Sequence, residues 1–132
     1  FDYIIMGDVI EHLQNPWKAI ENMRELLTPD GAIIASIPNV AHISNVYGVL
    51  SGKWTYRDMG LLDRTHLRFF TRQEIVKLFE GAELSVQELR FSRVLLSAAE
   101  CQLQDEILSL KTISVEKSDL DAFQWLVRAQ RV

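Results

Sequence analysis

FDYIIMGDVIEHLQNPWKAIENMRELLTPDGAIIASIP, residues 1–38, is the stretch on which the reading of the chain turns. "DYIIMGD" is a short apolar run rich in β-branched residues and closed by Gly7, which predicts a fully buried strand. "NPWKAIENMRELL" predicts a helix. Asn15 can cap it, and Pro16 suits the first helical position, where its missing N–H had no partner anyway. Trp17, Ile20, Met23, Leu26 and Leu27 fall on one face at helical spacing. "TPDG" (28–31) signals a turn, with Pro29 fixing φ and Gly31 free to take a positive φ. "AIIASIP" (32–38) is a second apolar strand, stopped by Pro38.

Working outward, residues 39–70 lack a single period and predict an insertion with one short helix at 42–51. "TRQE" (71–74) has the spacing of a capping box ahead of a helix over 72–80. Ile75, Leu78 and Phe79 form its core face, and Gly81 ends it. "LSVQELRF" (84–91) alternates as a strand does. Residues 95–110 predict an amphipathic helix with Leu96, Ala99, Leu103, Ile107 and Leu110 as its apolar side. "KSD" (117–119) reads as a loop and 122–132 as a final strand. Strands alternating with helices favour an α/β fold with a mostly parallel sheet.

Bulk properties exclude several classes. The 132 residues suffice for one domain, and 18 acidic against 14 basic side chains give a net charge of −4. That balance offers no global attraction to nucleic acid or to an anionic membrane, and neither is expected as a partner. No apolar run reaches the roughly 18 residues of a membrane span. The single Cys101 excludes an internal disulfide framework and suits a reducing cytoplasm, the expected location. It sits on a predicted helix without a histidine nearby, which argues against a nucleophile.

Asp8, Glu11 and His12 follow the first strand directly. If 8–13 form a helical turn, Asp8 with Glu11 and Asp8 with His12 share a face. Two carboxylates and an imidazole there can bind a divalent cation, and His66 in "RTHLRFFT" could complete the set. A locally basic strip, Lys53, Arg57, Arg64, Arg68 and Arg72, is interleaved with Trp54, Tyr56, Phe69 and Phe70. Such a strip can grip a phosphate-bearing acceptor or simply form local ion pairs. Asn39 and His42 lie at the end of the second strand, on the expected ligand side.

The order "acidic-x-x-Glu-His-Leu", "NPW" helix, "LTPDG", strand ending in "PN", then "LLDRTHLRFFTRQEIVKLFEGAEL" resembles the second half of a class I S-adenosylmethionine-dependent methyltransferase. The resemblance covers residues 1–91 well and 92–132 in outline. It implies an α/β, partial Rossmann-like sheet in the family's order 4-5-7-6, with the final strand of the chain antiparallel and helices flanking it. It also implies that residues 1–132 form one partial domain, that 39–70 cover the acceptor side, and that the cofactor-binding N-terminal half is absent. The chain holds no G-x-G, the turn with which the family cradles its cofactor. The expectation is therefore methyl transfer to a small-molecule, sugar-linked or nucleotide-linked acceptor by a larger enzyme, with these residues inactive alone. The alternative is a non-catalytic half-domain serving dimerisation or scaffolding.

The same resemblance places Gly7, Asp8 and Val9 beside S-adenosylmethionine and gives Glu11, His12 and His66 catalytic roles. In metal-dependent relatives the matching residues hold a divalent ion such as Mg, here Asp8, Glu11, His12 and His66. Asp8 replaces a more usual Glu and has a shorter reach. In other relatives the Glu-His pair shapes the pocket by hydrogen bonding alone. A first strand at the sheet edge would be adhesive. The expected cover is a second copy across a two-fold axis; the competing one is residues 92–110 folding back.

Overall fold

The computed structural model describes residues 1–132. The apolar runs form β1 (Tyr3–Gly7) and β2 (Ala32–Pro38), joined by α1 (Pro16–Glu25). The insertion carries α2 (Ile43–Leu50), followed by α3 (Arg72–Glu80) and β3 (Leu84–Ser92). Two further helices, α4 (Ala98–Leu108) and α5 (Lys117–Asp121), lead into β4 (Gln124–Arg131). The sheet order is β1-β2-β4-β3. β1 and β2 are parallel, and β4 runs antiparallel to both its neighbours. This is the expected order, with the last strand of the chain reversed between its neighbours.

The core lies on one face of the sheet. Ile33, Ala35 and Ile37 from β2 and Trp125, Val127 and Ala129 from β4 pack with Ile20 of α1 and with Ile75, Leu78 and Phe79 of α3. Alternation along the strands sends Ile5, Ile34 and Leu126 to the other face, where all three are exposed. β1 is the edge strand, as the 4-5-7-6 order implied, and with Ile5 on its uncovered face 75% exposed it is not the fully buried strand that its composition alone predicts. Residues 92–110 do not cover it. Composition reports a strand's apolar character, not the number of its neighbours.

Local chemistry explains the boundaries. The Asn15 side chain accepts the Lys18 N–H at 3.0 Å, capping α1 ahead of Pro16. Of the predicted apolar stripe, Ile20 and Leu27 are buried in the core and Met23 packs against it, while Trp17 and Leu26 are exposed. The expected capping box at 71–74 does not form. Thr71 makes no cap bond, and the Glu74 carboxylate accepts instead from Lys77 at 2.7 Å. The box forms at Ser97 and Glu100, where it starts α4. That helix packs beside α2 rather than on the sheet, so its apolar side is only partly covered and Leu110 is exposed. Residues 117–119, read as a loop, begin α5, held by Arg72 donating to Asp119 at 2.6 Å.

Gly31 is required for space rather than for a positive φ. A Cβ there would lie 2.8 Å from the Phe1 carbonyl oxygen and 3.0 Å from both the Leu27 Cβ and the Thr28 carbonyl oxygen. Those groups are fixed, since Phe1 O accepts the Thr28 N–H at 2.9 Å. Where space allows, Gly→Ala stabilises a protein. Here the clash reverses the sign, and Gly31→Ala is expected to lower stability by about 1–3 kcal/mol in denaturant titration.

Candidate active site

Residues separated by more than fifty positions meet through the backbone. Behind β1 the chain turns through a short 3-10 helix, Ile10–His12. The Glu11 carbonyl at its centre accepts two N–H groups, from Leu67 at 2.8 Å and Arg68 at 3.1 Å. The Arg68 guanidinium donates back to the Gln14 carbonyl at 2.6 Å. Upstream, the Asp63 carboxylate accepts the Thr65 N–H at 2.8 Å and its hydroxyl at 2.6 Å, bending the chain into position. Those same bonds hold the Asp63 carboxyl below the usual carboxylate range. His66 is thereby set against Glu11 and His12, and the two imidazole rings lie edge to face at 4.9 Å.

The Glu11 side chain is 1% exposed, and neither carboxylate oxygen has a hydrogen-bond partner. Its neighbours are the Nε2 atoms of His12 and His66, each 3.9 Å from Oε1. Both rings turn Nδ1 to a backbone carbonyl, Thr65 at 3.1 Å for His12 and Leu61 at 3.0 Å for His66. A carbonyl only accepts, so in both rings Nδ1 donates the proton. Each ring therefore turns Nε2 toward a buried carboxylate, and in the neutral form of the ring that atom carries a lone pair. Three electron-rich atoms converge with no donor between them. Burial pushes the Glu11 carboxyl above its usual value near 4.5, and Asp8 adds to this, while the dipole of Glu11's own backbone N–H and the two histidines oppose it.

Such a site calls for positive charge, supplied by a proton or by a cation. Glu11, His12 and His66 each offer one donor atom, and these atoms all lie within 4.8 Å of one another. A cation about 2.1 Å from each donor places neighbouring donors roughly 3–4 Å apart. The donor set therefore fits a divalent ion after a small contraction. Two imidazoles with one carboxylate favour zinc, manganese or cobalt over Mg, whose preferred ligands are oxygens.

Asp8 does not join this cluster. It adopts φ 51°, a left-handed conformation that Asp tolerates, and its Oδ1 accepts from the Ser36 hydroxyl at 3.1 Å and from Gln124 at 2.6 Å. It lines the rim of the same cleft together with Glu11, His12 and His66. Gly7 and Val9 flank it and are exposed at the end of β1. Asn39 is fully buried and donates to the Asp119 and Ala122 carbonyls at 2.8 and 2.7 Å, tying β2 to the last helix. The buried His42 caps α2 by accepting the Ser44 N–H, and burial lowers its imidazole below 6.5. Both are therefore part of the frame.

The cleft has a volume of about 520 Å³ and opens at the carboxyl ends of β1 and β2, where open α/β sheets bind ligands. Met59, Gly60 and Leu61, with Gly60 at φ 90°, also line it, together with Phe123 and Gln124. Sequence reasoning missed these residues. The Asp63-x-Thr65 turn was legible as an Asx-type signal. Phe123 and Gln124 carried none, because they arrive from the far end of the chain.

A family description, methyltransferase domain, matches residues 1–89. A mitochondrial ubiquinone biosynthesis O-methyltransferase of Dictyostelium discoideum is 22% identical over 90 residues, which are 68% of this chain and 28% of that protein. Among solved structures, a methyltransferase from Bacillus halodurans aligns with TM-score 0.58 and 17% identity, covering 99% of this chain and 70% of the other. A S-adenosylmethionine-dependent methyltransferase from Thermotoga maritima aligns with TM-score 0.62 and 16% identity, covering 100% and 56%. These structural likenesses bear on the fold. The chain spans little more than a quarter of the length of the curated relative it matches.

A buried, unpartnered carboxylate destabilises the fold when ionised. Because the folded value of Glu11 is raised, its favourable contribution is present below about pH 4.5 and is lost as pH rises through the raised value. Glu11→Gln is therefore expected to gain about 1–3 kcal/mol over the natural chain at pH 7.5, a gain that disappears near pH 4 in urea titrations.

Proposed function

The chain belongs to the class I S-adenosylmethionine-dependent methyltransferases, and from that premise we propose that it forms the acceptor side of a methyl-transfer site. The acceptor is a small molecule, sugar-linked or nucleotide-linked. The observation that supports this reading is the buried Glu11 carboxylate facing two Nε2 lone pairs in a cleft at the strand ends.

Bound S-adenosylmethionine supplies an electrophilic methyl group on a sulfonium. The residues of this chain do the rest. Without a cation between them, Glu11, His12 and His66 share the uptake of the one proton that the acceptor's nucleophile gives up and orient that nucleophile. The bifurcated seating of Glu11 O keeps His66 and Glu11 in register, so the group needs little reorganisation. Gly7, Asp8 and Val9 would contact the cofactor, and Asp8 is held for it by Ser36 and Gln124. A divalent cation held by Glu11, His12 and His66 would supply charge that orients and acidifies the acceptor.

No G-x-G occurs in these 132 residues. On this reading residues 1–132 alone bind S-adenosylmethionine weakly and transfer no methyl. β1 lies at the edge of the sheet with Tyr3 and Ile5 exposed on its uncovered face, and its pairing partner is proposed to be the same strand of a second copy.

Three measurements test the proposal. In the full-length enzyme, Glu11→Gln should lower the rate of labelled methyl transfer by about 10²-fold or more while the protein stays folded; unchanged turnover would remove Glu11 from the chemistry. Calorimetric titration of the natural chain with Zn²⁺, Mn²⁺ and Mg²⁺ should give saturable heat that Glu11→Ala abolishes, and no heat in the natural chain would eliminate the metal. Sedimentation should show a concentration-dependent dimer, whereas a clean monomer across the range would refute β1 pairing.

A further inference from the structure

Five basic side chains crowd residues 53–72, and the structure separates them into two kinds. Arg64 pairs with Asp58 at 3.0 Å. Arg68 donates to the Gln14 and Leu67 carbonyls. Arg72 is bound to Asp119 and Glu116 at 2.6 and 3.3 Å. Lys53 and Arg57 have no ion pair and no side-chain hydrogen bond, and both line a second groove of about 480 Å³. A cation left without an acceptor while its neighbours are all consumed is available to a ligand.

This groove adjoins the Glu11 cleft. Met59, Gly60, Leu61 and Phe123 line both, so these uncharged residues form the wall the two share. Charge is sorted across that wall. Asp8, Glu11 and Asp63 lie on the cleft side. Lys53 and Arg57 lie on the groove side with Tyr47, and the acid there, Glu100, has its Oε2 taken by the Ser97 N–H at 2.9 Å. Arg57 is also held in place. Its N–H donates to the Leu62 carbonyl and its carbonyl accepts the Arg64 N–H, both at 2.9 Å, so the guanidinium leaves a pinned turn and not a loose loop.

We infer that the groove is an acceptor subsite for an anionic group, phosphate or carboxylate, bound by Lys53 and Arg57 while the acceptor's nucleophile reaches over Met59–Leu61 into the Glu11 cleft. A guanidinium and an ammonium converging on one anion form charge-assisted hydrogen bonds that a solvent-facing lysine alone does not. The wall selects length: an acceptor whose anion and nucleophile are adjacent cannot occupy both compartments. The placing of a nucleophile in the cleft rests on the methyl-transfer reading; the anion site does not.

The test is therefore a binding measurement without turnover. The full chain is titrated with inorganic pyrophosphate and, separately, with citrate, while amide chemical shifts are followed by NMR at low ionic strength. Saturable shifts are expected at Tyr47, Lys53 and Arg57, weakened about tenfold or more in Lys53→Ser/Arg57→Ser and unchanged in Glu11→Gln. Neither Lys53 nor Arg57 holds any other group by its side chain, so the double variant keeps its fold, checked by its unchanged amide dispersion. Pyrophosphate alone binding identifies a phosphate-bearing acceptor, and citrate binding as well extends the class to carboxylates. No saturable shift, equal binding by the double variant, or shifts centred elsewhere would each overturn the inference. Loss of methyl transfer in Glu11→Gln speaks only to the chemistry, so the two readings fail separately.

Discussion

The two hydrogen bonds that the Leu67 and Arg68 N–H groups donate to the Glu11 carbonyl are the constraint on which the rest of the site depends. They join the turn after β1 to a segment more than fifty residues later, and they do so at the residue whose side chain is buried. Without them His66 would have no fixed relation to Glu11. With them, a backbone ladder sets the distance between carboxylate and imidazole, and side-chain flexibility has little left to decide.

That geometry carries a conflict. Both imidazoles commit Nδ1 to carbonyls and so present lone pairs to an anion that has no donor of its own. Natural folds rarely keep a buried carboxylate in this state, and those that do keep it where chemistry is performed. The protein sits above the minimum its own sequence could reach, and the excess is relieved when a proton or cation arrives. Stability given up at a site in this way is the usual companion of function.

The neighbouring groove extends the same logic through charge. Carboxylates gather on one side of the Met59–Leu61 wall and unpaired cations on the other. Gly60 at φ 90° makes the turn of that wall. Arg64 pairs with Asp58 within the insertion, Arg68 ties the insertion to the Gln14 carbonyl ahead of α1, and Arg72 ties the start of α3 to α5. Only the two cations facing the groove are left over.

Much of this was legible from residues alone. Apolar runs and turn signals determined the order of strands and helices, because period and punctuation are local properties. The Asn15–Pro16 start of α1 and the core face of α3 were readable for the same reason. The chemistry of Glu11, His12 and His66 was visible as residue types at suggestive places. Tertiary structure decided what no local pattern encodes. It took Asp8 out of the cluster by giving its oxygen to Ser36 and Gln124, residues 28 and 116 positions away. It turned a capping-box signature at 71–74 into a Glu74–Lys77 pair, and it left one face of the sheet, with Ile5, Ile34 and Leu126, uncovered. It also chose which two of five basic side chains stay free. Each of these depends on which distant group arrives first at a hydrogen-bonding atom, and that is settled by packing in three dimensions.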